Sequence, residues 1–163
     1  LLKKLKIYLL VFLILFFPII NNNVKANSAS QDVIISVNAL NEITLSKSEV
    51  RLAVTSPTEE SVTEEVSDAS TTMSYSTNES NQKITAELDR GMPLGITLMV
   101  EVASTSGTSE GQVVLEEFPQ DIITGLSNIS ESGQTVTYTV AADMFAEPTP
   151  GVTYTVTYTI TSI

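Results

Sequence analysis

Apolar and polar residues alternate with a period of two through most of the chain beyond residue 32, and that pattern leaves room for little except β-structure. Val33, Ile35 and Val37 share one face of such a segment, and Val50, Leu52 and Val54 share one face of another. Met73 and Tyr75, Ile84 to Leu88, Ile96 to Val102 and Val136 to Ala142 repeat the pattern. Val152, Tyr154, Val156, Tyr158 and Ile160 alternate strictly with Thr. Two less regular runs, Gln112–Glu116 and Asp121–Leu126, add short strands. Strands wet on one face and dry on the other belong to antiparallel sheets that each cover one side of a core. Turn-forming residues separate the segments at 78–82, 90–95, 104–111, 127–133 and 147–151. The expectation is an all-β, antiparallel, two-sheet sandwich of immunoglobulin-like architecture with about eight or nine strands. A closed barrel has the same spacing and is the alternative.

One stretch departs from the alternation. Residues 57–71 carry Glu59, Glu60, Glu64, Glu65 and Asp68 among Ser and Thr, and read as an acidic loop or a short helical excursion. Charge is divided just as unevenly over the whole chain. Residues 1–26 contain four Lys and no acid, whereas the remainder holds all 19 Asp and Glu against four basic residues, a net charge of −15. Leu1–Lys6 is positive, Ile7–Ile20 is an apolar run of fourteen and Asn21–Ala26 is short and polar, the order of a secretory signal peptide. Fourteen helical residues reach about 21 Å, too short for a hydrocarbon core of about 30 Å. Val24 and Ala26 place small residues at −3 and −1, so cleavage is expected between Ala26 and Asn27, leaving 27–163 as a single domain. Its residues 27–38 form an N-terminal arm or first strand. The expected destination is extracellular, at a prokaryotic cell surface, with no membrane contact in the mature form.

Composition removes most chemistries. The chain has no Cys, no His and no Trp, so it offers no Ser-His-Asp or Cys-His arrangement, no zinc finger and no disulfide. A strongly acidic body repels nucleic acid. The weak metal candidates are Glu59, Glu60, Glu64, Glu65 and Asp68, since calcium favours several carboxylate oxygens. They lack the Asp-x-Asp-x-Asp-Gly spacing, and a solvated acidic loop is the simpler reading. Glu116 with Glu117, or Glu87 with Asp89, would make a glycosidase acid and base only if they flanked a cleft. Adjacent strand residues point to opposite faces, so Glu116 and Glu117 do not converge on a strand. No catalytic residue and no cofactor are expected. Asn78-Glu79-Ser80 and Asn128-Ile129-Ser130 match the N-glycosylation pattern at about the frequency that this Ser/Thr content gives by chance. The Thr row at 153–161 resembles an ice-binding ladder, but Thr is also an ordinary residue for a half-exposed strand face.

The ends of the domain are more informative. Pro148–Ile163 contains no charge and is rich in Val, Tyr, Thr and Ile, an aggregation hazard unless both edges are paired. At the other end, the polar residues 27–32 lead into Val33-Ile34-Ile35-Ser36-Val37, a detachable-looking strand. Val33, Ile35 and Val37 are therefore the candidate strand-exchange residues, with pairing inside their own domain as the plain alternative. A short leader, one Cys-free Thr/Val-rich sandwich, an N-terminal arm and an uncharged last strand together resemble secreted fimbrial or filament-forming subunits. That resemblance implies a structural protein of a cell-surface fibre, pilus-like or matrix assembly, with itself or related surface subunits as partners. The alternative function is a monomeric extracellular binding module for a carbohydrate or calcium.

Overall fold

The computed structural model describes residues 28–54 and 63–163. The chain divides into two units, Leu1–Ser36 and Val37–Ile163. In the first, the described residues 28–36 form no strand or helix and are exposed. The second is built from nine strands: β1 (Asn41–Leu45), β2 (Thr63–Thr77), β3 (Gln82–Leu88), β4 (Ile96–Val102), β5 (Thr108–Ser109), β6 (Val113–Val114), β7 (Gln120–Leu126), β8 (Ile129–Asp143) and β9 (Val156–Ser162). They form two antiparallel sheets, ordered β1-β2-β8-β4-β6 and β5-β7-β3-β9. The expected two-sheet β-sandwich is the observed architecture.

Alternation explains the core directly. Met73 and Tyr75 of β2, Val100 and Val102 of β4, and Val136 and Tyr138 of β8 point inward from the first sheet. Ile84, Ala86 and Leu88 of β3, with Ile123 and Leu126 of β7, belong to the same buried cluster. Each large aliphatic side chain taken out of water contributes roughly 1.5–3 kcal/mol, and here no cross-link supplements that burial. Two 15-residue strands, β2 and β8, form the centre of the first sheet. Their ladder shifts register between Met73, opposite Gln134, and Tyr75, opposite Glu131. Gly133, at φ 69°, takes up the extra residue, and its N–H donates to Ser74 Oγ at 3.2 Å.

The structure corrects four local expectations. Val33–Val37 is not a strand of either sheet. Val50–Val54 is not a strand either, although Val50 and Leu52 pack against the core. Residues 152–155 precede β9 without joining its ladder, where Asp89 and Arg90 capture the backbone instead. Most consequentially, residues 63–71 are not an acidic loop but the first part of β2, with Glu64 opposite Ala142 and Glu65 opposite Ala141. A long neighbouring strand supplies main-chain partners there, which outweighs the poor strand preference of Glu and Asp. Glu59 and Glu60 lie outside the described residues.

The β3–β4 connection closes against the end of β8 through Gly95. Its φ is +78°, and a Cβ there would lie 2.4 Å from the Ala146 nitrogen and 2.5 Å from Asp143 Oδ1. Gly111 has a similar φ of +74° with open space around it. Gly111→Ala should therefore cost only the conformational penalty, about 1–2 kcal/mol. Gly95→Ala should cost clearly more, because backbone must also move. Urea unfolding of the two variants checks this, and equal midpoints would show that the Phe145–Ala146 segment yields freely.

Candidate functional site: an uncovered seam between two sheet edges

The turn at 78–81 carries the chain from β2 in one sheet to β3 in the other. β1 pairs with the outer side of β2 and β9 with the outer side of β3, so two sheet edges border one seam of the sandwich. Between them lies an open groove lined by Ile43, Leu45, Ser46, Lys47, Ser48, Val156 and Tyr158. The inward side chains of these edges are not fully covered. Ile43, Val156, Tyr158 and Ile160 are half-buried, and Leu45 is exposed. In contrast, Ile84 and Ala86, one strand further in, are fully buried. The Tyr158 hydroxyl meets that of Tyr138 at 2.7 Å, joining β9 to β8 across the sheets. Burial pushes the Tyr158 phenol up, and the nearby Tyr138 adds to the shift, so both remain neutral hydrogen-bonding groups.

β9 presents one paired side to β3 and, among the described residues, has no second strand partner in its sheet. Edge strands ordinarily discourage further pairing with charge, a bulge or Pro. β9 contains no charged residue and no Pro, and its register with β3 runs unbroken from Gln82 opposite Ser162 to Leu88 opposite Val156. It is a neutral edge beside a groove that is part apolar and part polar, with Lys47 in its lining.

The candidate exchange residues are fully available. Val33 is 74% exposed, Ile35 81% and Val37 79%, values that place none of them in a core. Just downstream the chain is held firmly. Leu40 N–H donates to Asn78 Oδ1 at 2.8 Å, Asn78 Nδ2 donates to the Asn38 carbonyl at 2.8 Å, and Asn78 N–H donates to the Leu40 carbonyl at 3.2 Å. Asn41 Nδ2 adds a bond to Glu79 Oε2 at 2.7 Å. Each such bond is worth about 0.5–1.5 kcal/mol net. Together they extend the line of β1 past its last ladder pair.

The sequence marks Asn78 only as part of a glycosylation pattern, and its side chain both donates and accepts in this clamp. A second buried polar site carries no local sequence signal, because its members are far apart in the chain. Glu131 on β8 accepts a 2.5 Å bond from Tyr75 on β2 and a 2.8 Å bond from Thr105 Oγ1 in the loop after β4. Tyr75 also contacts Ser104 Oγ at 2.9 Å. Burial pushes the Glu131 carboxyl up, but hydrogen bonds from Ser106, Tyr75 and Thr105 outweigh it and hold the group at about 2. The arrangement fixes a loop to the central ladder and has no open face for a substrate.

The remaining sequence candidates do not assemble into a site. Alternation along β2 sets Glu64 and Asp68 on one face and Glu65 on the other, and Asp68 Oδ1 accepts from the Ser70 amide and hydroxyl. Among the described residues no three Asp or Glu are grouped closely enough to hold a metal ion. Glu117 Oε1 accepts from Gly91 N–H at 2.6 Å, and Asp89 Oδ1 from Thr155 N–H at 2.9 Å, so neither faces a cleft as half of an acid–base pair. Thr157, Thr159 and Thr161 lie on β9 and Thr135, Thr137 and Thr139 on β8, in different sheets, so the two rows form no continuous array. Ala26 and Asn27 lie outside the described residues. No protein-family model, curated protein or solved structure matches the chain.

The low Glu131 value fixes the sign of an acid effect. A carboxyl held at about 2 against an ordinary 4.5 stabilises the fold above pH 4.5, and that contribution disappears as pH falls towards 2. It amounts to roughly 3 kcal/mol at neutral pH. Glu131→Gln should be less stable than the parent at pH 7, and the gap should narrow as pH falls from 4.5 to 2. Urea midpoints measured across that range test it. A gap independent of pH would mean that the carboxylate is not held by these bonds.

Proposed function

We propose that the chain is an exported structural protein, a subunit of a cell-surface fibre, pilus-like or matrix assembly, joined to its neighbours by strand donation. The observation that carries this reading is the pairing of opposites within one chain. An exposed apolar arm, Val33–Val37, joins neither sheet, and the neutral edge of β9 pairs with no further strand among the described residues. Neither Val33–Val37 nor β9 carries a charge that must be desolvated, and Lys47 is the one charged residue in the groove lining. The leader-like residues 1–26 support a reading in which the protein is exported, and their removal after Ala26 would free the arm. The rest of the body, with its net charge of −15 beyond residue 26, keeps subunits apart except where a neutral strand bridges them.

Light scattering of the secreted protein over a concentration series tests the proposal. Assembly should be concentration-dependent, and replacing Val33, Ile35 and Val37 together with Asp should abolish it. Because all three are exposed, the same variant should keep the parent melting temperature as a monomer, within about 0.5 kcal/mol of stability. A parent protein that stays monomeric at every concentration, or an Asp variant that still assembles, refutes strand donation. Binding of a glycan or of calcium by such a monomer would support the binding-module alternative instead. Mass spectrometry of the secreted species should find Asn27 at its N-terminus, and retention of Leu1–Ala26 would contradict the export reading.

A further inference from the structure

We infer that β9 pairs edge to edge with β9 of a second copy of this chain, antiparallel and centred on Thr159, so that two subunits share one sheet across a twofold axis. The inference rests on this edge alone and not on the arm. Both would use the same row of backbone groups, so a paired edge is closed to a donated strand until the pair opens.

The ladder with β3 fixes which backbone groups of β9 are free. Opposite residues of an antiparallel pair alternate between those that exchange main-chain bonds and those that do not. Asp89 N–H donates to the Thr155 carbonyl at 3.0 Å, and Ile163 N–H donates to the Asn81 carbonyl at 2.9 Å. These two pairs stand one step beyond each end of the β3–β9 register. By alternation, Thr157, Thr159 and Thr161 bond to β3. Val156, Tyr158, Ile160 and Ser162 turn their N–H and carbonyl groups to the open edge, where no strand among the described residues pairs with them.

A second β9 meets that row in one register that uses all of it. With Thr159 opposite its own copy, Val156 stands opposite Ser162 and Tyr158 opposite Ile160, each as a hydrogen-bonded pair. Centring on Tyr158 or on Ile160 leaves an outward residue unpaired. The side chains suit the same register. On the outer face Thr157 comes opposite Thr161, and on the inner face the half-buried Tyr158 comes opposite the half-buried Ile160. Thr–Thr and aromatic–β-branched cross-strand pairs are both favourable.

Charge points to the same contact. A net charge of −15 beyond residue 26 keeps copies apart, and β9 is the one strand longer than two residues without a charged side chain. Glu87 and Lys83 lie beside Thr157 and Thr161 in the β3 ladder, so the twofold sets each Glu87 in line with the second copy's Lys83. It also sends the two Lys47 groups, which line the groove with Val156 and Tyr158, to opposite ends of the joint.

Hydrogen exchange of the β9 amides in dilute and concentrated protein tests the joint, with light scattering of the same samples. Amides of Val156, Tyr158, Ile160 and Ser162 should exchange freely in the dilute monomer and slow about tenfold or more in the pair, while those of Thr157, Thr159 and Thr161 stay protected throughout. Thr159→Lys and Thr159→Glu each set like charges directly opposite on the axis, and each should raise the concentration for half-pairing by about tenfold. Thr159 is exposed, so both variants should keep the parent fold. Mixed in equal amounts, they should pair as readily as the parent. The pair is closed and stops at two copies, which separates it by mass from an open-ended assembly of donated strands. Replacing Val33, Ile35 and Val37 with Asp should therefore remove growth beyond two copies and leave the pair. The inference is overturned by a parent that stays monomeric at millimolar concentration, or by outward amides already protected in the dilute monomer. A Lys–Glu mixture no better than either variant alone also overturns it, as does loss of the pair in the arm variant. A parent that pairs as expected but never grows beyond two copies upholds the joint and refutes strand donation.

Discussion

The ladder between β2 and β8 is the interaction on which the rest of the molecule depends. It joins two strands of 15 residues each and sits in the middle of the larger sheet, so β1 and β4 take their registers from it. Its inward residues supply Met73, Tyr75, Val136 and Tyr138 to the core, and the bonds of Tyr75 and Glu131 tie it to the loop after β4. With no Cys in the chain, nothing covalent supports this arrangement. The turn at 78–81 then carries the chain into the second sheet, where β3 pairs with β7 on one side and with the edge strand β9 on the other.

Strand identity was legible wherever both faces kept a constant character. β3, β4 and β9 follow directly from the alternation at Ile84–Leu88, Ile96–Val102 and Val156–Ile160. It failed in two ways, each with a physical cause. At Glu64, Glu65 and Asp68 the side chains argued for a loop, yet the decisive partners were the main-chain groups of residues 138–142, which side-chain patterning does not register. At Val33–Val37 and Val50–Val54 the pattern was strand-like, but alternation reports only that one face wants cover, not whether a ladder within the same domain supplies it. The exposed arm is the clearest case, because its pattern is complete and yet it pairs with no strand among the described residues.

The site was legible in part and for the same reason. The neutrality of the last sixteen residues identified an edge that needs protection, and the arm was identified by its own alternation. What joins these two facts could not be read locally. The groove is made by β1 and β9, separated by more than a hundred residues, and the Asn78 clamp and the Glu131 cluster are likewise long-range constructions of single polar groups. Asn78 stood out in the sequence only through a three-residue pattern unrelated to the bonds that its side chain makes.

The unbroken neutrality of β9 has a consequence for where such a protein can work. An ionic contact must shed its counterions and follows the acidity of its surroundings, so its strength changes with every change of medium. Main-chain pairing along Val156–Ser162 involves no ionised group, and the neighbouring phenol of Tyr158 is held neutral by burial. A joint made there would hold about equally in dilute or briny, mildly acidic or alkaline water. The heavily acidic faces elsewhere would feel all of those changes, whereas a contact made along β9 would not.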